Sequence, residues 1–286
     1  MPFFQGADDT SLYYVDWGSG KPLVFVASAW LSSRMWELQL PYLVGSGLRC
    51  VAYDRRGHGR SDAPWDGYDY DALADDLAAL LEQLDLRGVT FVAHSAGGGE
   101  VVRYLMRHGR ERVERIALVS TTAPFPLKAD DNPDGVDRAL VELDLAARTA
   151  DRPKWFADNA AGFFGIGLPG VSVSPELVEH MIRQCLECSP RATAAFFLTG
   201  ITTDLRAELR AITVPALVIH GDRDVQAPID RCGRRSARLL PDSRLVEYCD
   251  AAHGLFLTHA ARLNADLLEF VTGTAERAAS PGPARP

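Results

Sequence analysis

The stretch TFVAHSAGGGE, residues 90–100, sets one serine and three consecutive glycines between an apolar run and the start of a helical pattern. Two chemistries compete for it. A dinucleotide fingerprint needs G-x-G-x-x-G behind the first strand, and a P-loop needs Lys followed by Ser or Thr; here the spacing fails and Glu100 brings a charge that repels phosphate. A nucleophile turn fits better. A sharp strand-to-helix turn presses together the residues two before and two after its serine, and Ala93 and Gly97 are small enough for that. Ser95 would then project from the end of the strand, with the Ala96 N–H at a helix N-terminus where negative charge is stabilised. A serine that only caps a helix has the same local pattern, so the decision rests on partners.

Partners follow in the order acid, then base. VIHGDRD (218–224) closes an apolar run and offers Asp222 and Asp224; Asp224 is the preferred acid because the loop has turned further there, whereas Asp222 serves to hold the turn. YCDAAHGLF (248–256) then places His253 in a loop before the last helical pattern. The other six histidines are worse placed: His94 adjoins Ser95 but is expected to face the opposite wall, and His259 lies on the closing helix.

These loops need a frame that brings their ends together. Short β-branched runs recur at LVFVA (23), RCVAYD (49), VTFVAHS (89), RIALVS (115), ALVIH (216) and RLVEYC (244), each nearly continuous in apolar residues. Such runs suit strands covered on both faces by helices, hence a mostly parallel sheet. Between them, Leu73, Leu77, Leu80, Leu81 and Leu84 fall at helical spacing, and THAARLNADLLEFV closes the chain in the same way. The alternation stops at 125–205, where Ser174-Pro175 and Ser189-Pro190 read as helix starts and Gly200 as a helix end. The expected division is therefore an α/β core at 1–124 and 206–272, a helical cap at 125–205, and a disordered tail at 273–286. Phe125, Trp155, Phe156, Phe163, Phe164, Phe196 and Phe197 load the cap with aromatic surface. Singly each fits ordinary packing; as a cluster they suggest a pocket wall.

With 47% hydrophobic and 24% charged residues, the 286-residue chain has the composition of an ordinary globular protein. Thirty basic against thirty-eight acidic residues, a net charge of −8, leave no basic stripe for nucleic acid. The N-terminus has no secretory pattern and no run approaches a membrane span, so the expectation is a cytoplasmic protein without membrane attachment. Five cysteines include one C-x-x-C, Cys185 and Cys188, with no matching second pair, and packing explains them better than zinc. DRRGHGRSD (54–62) reads as a structural turn whose charges pair locally.

Together, YYVDWGSGKPLVF, YDRRGHGRSD, SAGGGEV, VIHGDRD and AHGLFLTHAARLNADLLEF, in that order over most of the chain, resemble the α/β-hydrolase family, and within it the cofactor-free bacterial haloperoxidases, which act as esterases, perhydrolases and in some cases lactonases. The resemblance implies an acyl-transfer cycle with Ser95 as nucleophile, His253 as base and Asp224 as its orienting acid, without a cofactor or metal. It implies an oxyanion hole from the N–H groups of Ala96 and Ala29, and a small to medium ester or a lactone as substrate. Self-assembly into a homo-oligomer is common in the family. Two departures matter. Relatives usually read His-Gly where this chain has Ala27-Ser28, which removes an anchoring side chain and a flexible residue, and offers the Ser28 hydroxyl as a further donor. Members that make peracids well tend to carry proline where Trp30 stands, which favours hydrolysis here, with perhydrolysis at most a side activity. Ser28, Trp30, Phe125, Trp155 and Phe163 are the expected substrate contacts. The altered loop also keeps open a ligand sensor, and a lyase using the same three side chains; a serine at 95 rather than aspartate excludes dehalogenase chemistry.

Overall fold

The computed structural model describes residues 2–273. Among them, eight strands form one sheet in the order β1 (Phe3–Gln5), β2 (Ser11–Trp17), β4 (Arg49–Tyr53), β3 (Pro22–Val26), β5 (Val89–His94), β6 (Val113–Val119), β7 (Ala216–Gly221) and β8 (Ser243–Tyr248). From β4 through β8 every pairing is parallel, while β1 and β2 add an antiparallel edge. All six anticipated strands are present. The antiparallel pair was not anticipated: β2 is only half-buried and lacks the continuous apolar run that marks the others.

Strand alternation divides the core in two. Val24, Val26, Phe91, Ala93, Ile116 and Leu118 face one layer, built on α2 (Tyr70–Gln83), α3 (Gly97–His108) and α8 (Arg206–Ala211). Leu23, Phe25, Val92, Ala117 and Val119 face the other, built on α1 (Leu40–Gly45) and α11 (Ala260–Thr272). Helix α9 (Gly233–Leu239) joins β7 to β8, and the short α10 (Leu255–Thr258) precedes α11.

Between β6 and α8 the chain runs through α4 (Arg138–Ala150), α5 (Arg152–Phe164), α6 (Pro175–Glu187) and α7 (Pro190–Thr202). Ser174 and Ser189 cap α6 and α7 as expected, accepting from the N–H groups of Leu177 (3.1 Å) and Ala192 (3.0 Å). Gly200 does not end α7, which continues to Thr202. A Cβ at Gly200 would stand 3.4 Å from that of Ala96, an ordinary contact, so α7 passes over the residue after Ser95. Beyond Gly273 the expected tail lies outside the described residues.

The charges of the turn after β4 pair mostly at long range, against the expectation of local pairing. Within the turn Asp54 pairs with Arg60, Oδ2 to Nε at 3.9 Å, as expected; it also accepts from the N–H groups of Arg60 (2.9 Å) and Ser33 (2.8 Å). Arg56 is bidentate to Asp76 on α2 and reaches Asp8; Arg55, fully buried, pairs with Glu100 on α3. A buried cation must find an acceptor wherever the fold supplies one, and local sequence does not reveal it.

Two buried histidines give the fold a pH dependence. Burial, with the Arg55 charge beside it, pushes His58 down to about 3, and burial holds His94 well below its usual range. In the unfolded chain both titrate near 6.5, so the unfolded state binds more protons as pH falls, and stability present above about 6.5 is lost below it. For His58 the window runs from about 6.5 to about 3. Each ring is expected to remove about 1.4 kcal/mol per pH unit there. Denaturant unfolding at pH 7.5 and pH 5 checks this: the native protein loses stability at pH 5, and His58→Gln shows a flatter dependence. Equal slopes in the two proteins would sink the assignment to His58.

Candidate active site

Ser95 sits between the last residue of β5 and the first turn of α3 with φ +57°, a left-handed backbone that costs an L-residue about 1–3 kcal/mol and persists only where surroundings enforce it. The Ser95 N–H is fixed to the Val119 carbonyl (2.9 Å). Gly97 makes the turn possible, because a Cβ there would lie 2.6 Å from the Ala27 carbonyl oxygen.

His253 lies in the loop from β8 to α10 and reaches across to that turn. Its Nε2 is 2.9 Å from Ser95 Oγ, and its Nδ1 is 2.7 Å from Asp224 Oδ2. Asp224, not Asp222, makes this contact, three residues beyond β7; its other oxygen accepts from the N–H groups of Gln226 (2.9 Å) and Ala227 (2.8 Å). Burial alone would raise the Asp224 carboxyl, but the imidazoles of His253 and His220 hold it well below the usual carboxylate range. All three side chains are at least nine-tenths buried. Two histidines set aside in the sequence support this row. His94 packs its ring on His253 (4.9 Å) and meets the His253 carbonyl oxygen through Nε2 (2.9 Å), while His220 Nε2 lies 2.6 Å from the Ala227 carbonyl oxygen and 3.4 Å from Asp224.

The loop after β3 faces Ser95 from the other side. Among the described residues, neither the Ala29 N–H nor the Ala96 N–H has a protein acceptor. Buried amides left unclaimed are rare and point to a ligand. Arg55 anchors this loop: Nη2 donates to the Ala27 carbonyl (2.9 Å) and Nη1 to that of Ser28 (3.4 Å). In a planar trans peptide the C=O and N–H point in opposite directions, so holding the Ser28 carbonyl toward Arg55 turns the Ala29 N–H away from it. Glu100 grips the same guanidinium, with 2.6 Å to Nε, and thereby ties this loop to α3.

A serine on a left-handed turn behind the fifth strand, a histidine after the eighth, and a parallel sheet carrying both narrow the possible families, and comparison decides among them. The alpha/beta hydrolase fold family matches residues 21–260. The chain belongs to that family. It is 40% identical to a non-heme chloroperoxidase of Kitasatospora aureofaciens, over 95% of this chain and 99% of the relative. It is 36% identical to a bifunctional esterase/perhydrolase of Acinetobacter calcoaceticus, over 95% and 99%. The crystal structure of a bromoperoxidase from Bacillus anthracis superposes with a TM-score of 0.89 at 36% identity, covering 94% of this chain and 99% of that one.

In this α/β-hydrolase a cavity of about 230 Å³ opens above Ser95 and His253. Ser28, Trp30, Trp155 and Phe163 line it, as expected from sequence, together with Ala29 and Ala96. Phe163 packs edge-on against His253 (5.3 Å), and its carbonyl accepts from the Gly254 N–H (2.7 Å), so the end of α5 braces the histidine loop. Trp30 has φ +66°, donates its indole N–H to the Thr193 carbonyl (3.2 Å) and stands edge-on to Trp155 (5.5 Å). Among the described residues the Ser28 hydroxyl has no protein partner. Phe125 differs from expectation: it lines a smaller neighbouring cavity, with the Arg206 guanidinium over its ring. Sequence reading missed Thr122, Asp144, Arg148, Asn159 and Gln226 on the main wall. Only Asp144 and Arg148 carried any signal, their i,i+4 spacing of opposite charge on a helix.

Among the described residues, no helix is long and apolar enough to cross a membrane.

Proposed function

We propose that this protein is a carboxylic ester hydrolase that cleaves small to medium esters or lactones through an acyl-enzyme, with Ser95, His253 and Asp224 as its triad. The observation that carries the reading is the unbroken row Asp224–His253–Ser95, at 2.7 and 2.9 Å, whose Ser95 and His253 line a cavity together with Ala29 and Ala96, the residues of the two unclaimed backbone N–H groups.

Ser95 Oγ attacks the ester carbonyl while His253 Nε2 takes its proton. The Asp224 carboxylate accepts from Nδ1–H, fixing the tautomer and stabilising the imidazolium that forms. The N–H groups of Ala96 and Ala29 receive the oxyanion, each such donor contributing about 3 kcal/mol in the transition state. His253 then returns its proton to the leaving alkoxide, and water cleaves the acyl-enzyme by the same route reversed. Every group this cycle needs comes from the chain. The esterase and haloperoxidase activities named for the relatives fit the same machinery. Trp30, bulky and beside the Ala29 donor, supports hydrolysis over peracid formation.

Steady-state hydrolysis of p-nitrophenyl esters from acetate to octanoate, with small lactones alongside, tests the proposal. Multiple turnover with an optimum at short or medium chains is expected, since a cavity of about 230 Å³ admits little more. Release of a single equivalent, or none, would favour the sensor reading that the Ala27-Ser28 loop keeps open.

A further inference from the structure

The cavity wall carries a charged pair, Asp144 and Arg148, that the proposed cycle leaves unused. Arg148 projects from α4 into an aromatic setting: its guanidinium carbon lies 3.9 Å from the Trp155 ring, 4.0 Å from that of Phe197 and 4.3 Å from that of Trp30. The side chain is 3% exposed. It has a single anionic partner, Asp144, which takes Nη2 and at the same time accepts from the Trp155 indole N–H (2.8 Å). Among the described residues Nε and Nη1 have no acceptor.

Three N–H bonds of a buried cation without an acceptor are expensive, more so than those of a neutral group. Ring faces offset part of that through cation–π attraction but accept no strong hydrogen bond. Burial pulls the guanidinium down to about 10, a direction the neighbouring carboxylate only partly opposes. A methionine or leucine would fill an aromatic wall without this cost. Such an underpaired fork on the wall of the cavity that Ser95 also lines suits a ligand acceptor, and a carboxylate matches its planar bidentate geometry best.

We propose that Arg148 recognises a second, anionic group on the substrate, so that the preferred esters or lactones carry a carboxylate remote from the scissile carbonyl. This rests on the hydrolase reading above and narrows its substrate class. Asp144 keeps the empty pocket near neutrality and holds the fork in place; an incoming carboxylate takes the donors that Asp144 leaves free. Arg148 thereby sets specificity, while the bond-breaking remains with Ser95.

The test compares matched substrates: mono-p-nitrophenyl adipate with p-nitrophenyl hexanoate for a carboxylate on the acyl side, and 4-carboxyphenyl acetate with phenyl acetate for one on the alcohol side, each corrected for uncatalysed hydrolysis. In at least one pair the native enzyme should favour the charged member in kcat/KM. In Arg148→Met that charged-to-neutral ratio should fall at least 10-fold. Asp144→Asn retains an acceptor for Trp155 but removes the competing charge, so the same ratio should rise. If Arg148→Met does not fold, Asp144→Asn decides, and a ratio that falls or stays constant overturns the proposal. So does a native enzyme that prefers the neutral member of both pairs. If no substrate, charged or neutral, is turned over repeatedly, the hydrolase reading itself fails, which separates the two failures.

Discussion

Ser95→Ala is expected to lower kcat for p-nitrophenyl esters by about 10⁴- to 10⁶-fold, leaving the protein folded. The substitution removes one oxygen, and alanine meets the same left-handed turn with no greater steric demand than serine, so the backbone at φ +57° is retained. What disappears is the atom 2.9 Å from His253 Nε2. The two unclaimed amides and the cavity remain, so weak residual catalysis over water is expected from binding and charge stabilisation alone. A fluorophosphonate probe sharpens the result, because the native chain should take up one equivalent and the variant none. Retention of more than one per cent of native turnover would remove Ser95 from the nucleophile's role.

Asp224→Asn is expected to cost about 10⁴-fold in kcat near neutral pH. The reason is geometric. The N–H groups of Gln226 and Ala227, at 2.9 and 2.8 Å, already demand an acceptor from one oxygen of residue 224. Asparagine satisfies them with its carbonyl oxygen and must turn its NH₂ toward His253 Nδ1. The ring then carries its proton on Nε2, the atom that should accept from Ser95, and general-base catalysis stops although every side chain keeps its place. A crystal structure of the variant with unchanged positions and a slow acylation rate would match this account. A loss below about 10-fold would assign the orienting role elsewhere.

What was legible in advance follows from how each feature is encoded. Strands such as Val89–His94 are buried on both faces and therefore written as continuous apolar runs; the edge strand Ser11–Trp17 shares its residues between solvent and core and leaves no such mark. The three residues of the proposed triad were visible because each sits at the end of a recognisable strand and in a fixed order along the chain. Arg55 and Glu100 were not. Their contact joins residues 45 positions apart, and nothing local distinguishes Glu100 as a buried anion from a solvated first-turn glutamate. The same limit applied to the pocket. Trp155 and Phe163 were reachable by counting the cap's aromatics and Trp30 by its place beside Ala29, whereas Phe125 belongs to the same count and lines a different cavity. Which way a side chain faces after an irregular turn is a property of the assembled backbone.

The left-handed backbone of Trp30 limits what the position can hold. Proline's ring fixes φ near −65°, about 130° of rotation from the +66° found here, so proline at position 30 would require a different conformation of the whole loop. Trp30→Pro made alone would also discard the indole bond to Thr193 and the stack beneath Arg148. What position 30 can accept is therefore decided by backbone before side chain: Trp30→Gly or Trp30→Asn can keep the path of the loop, which Trp30→Pro cannot.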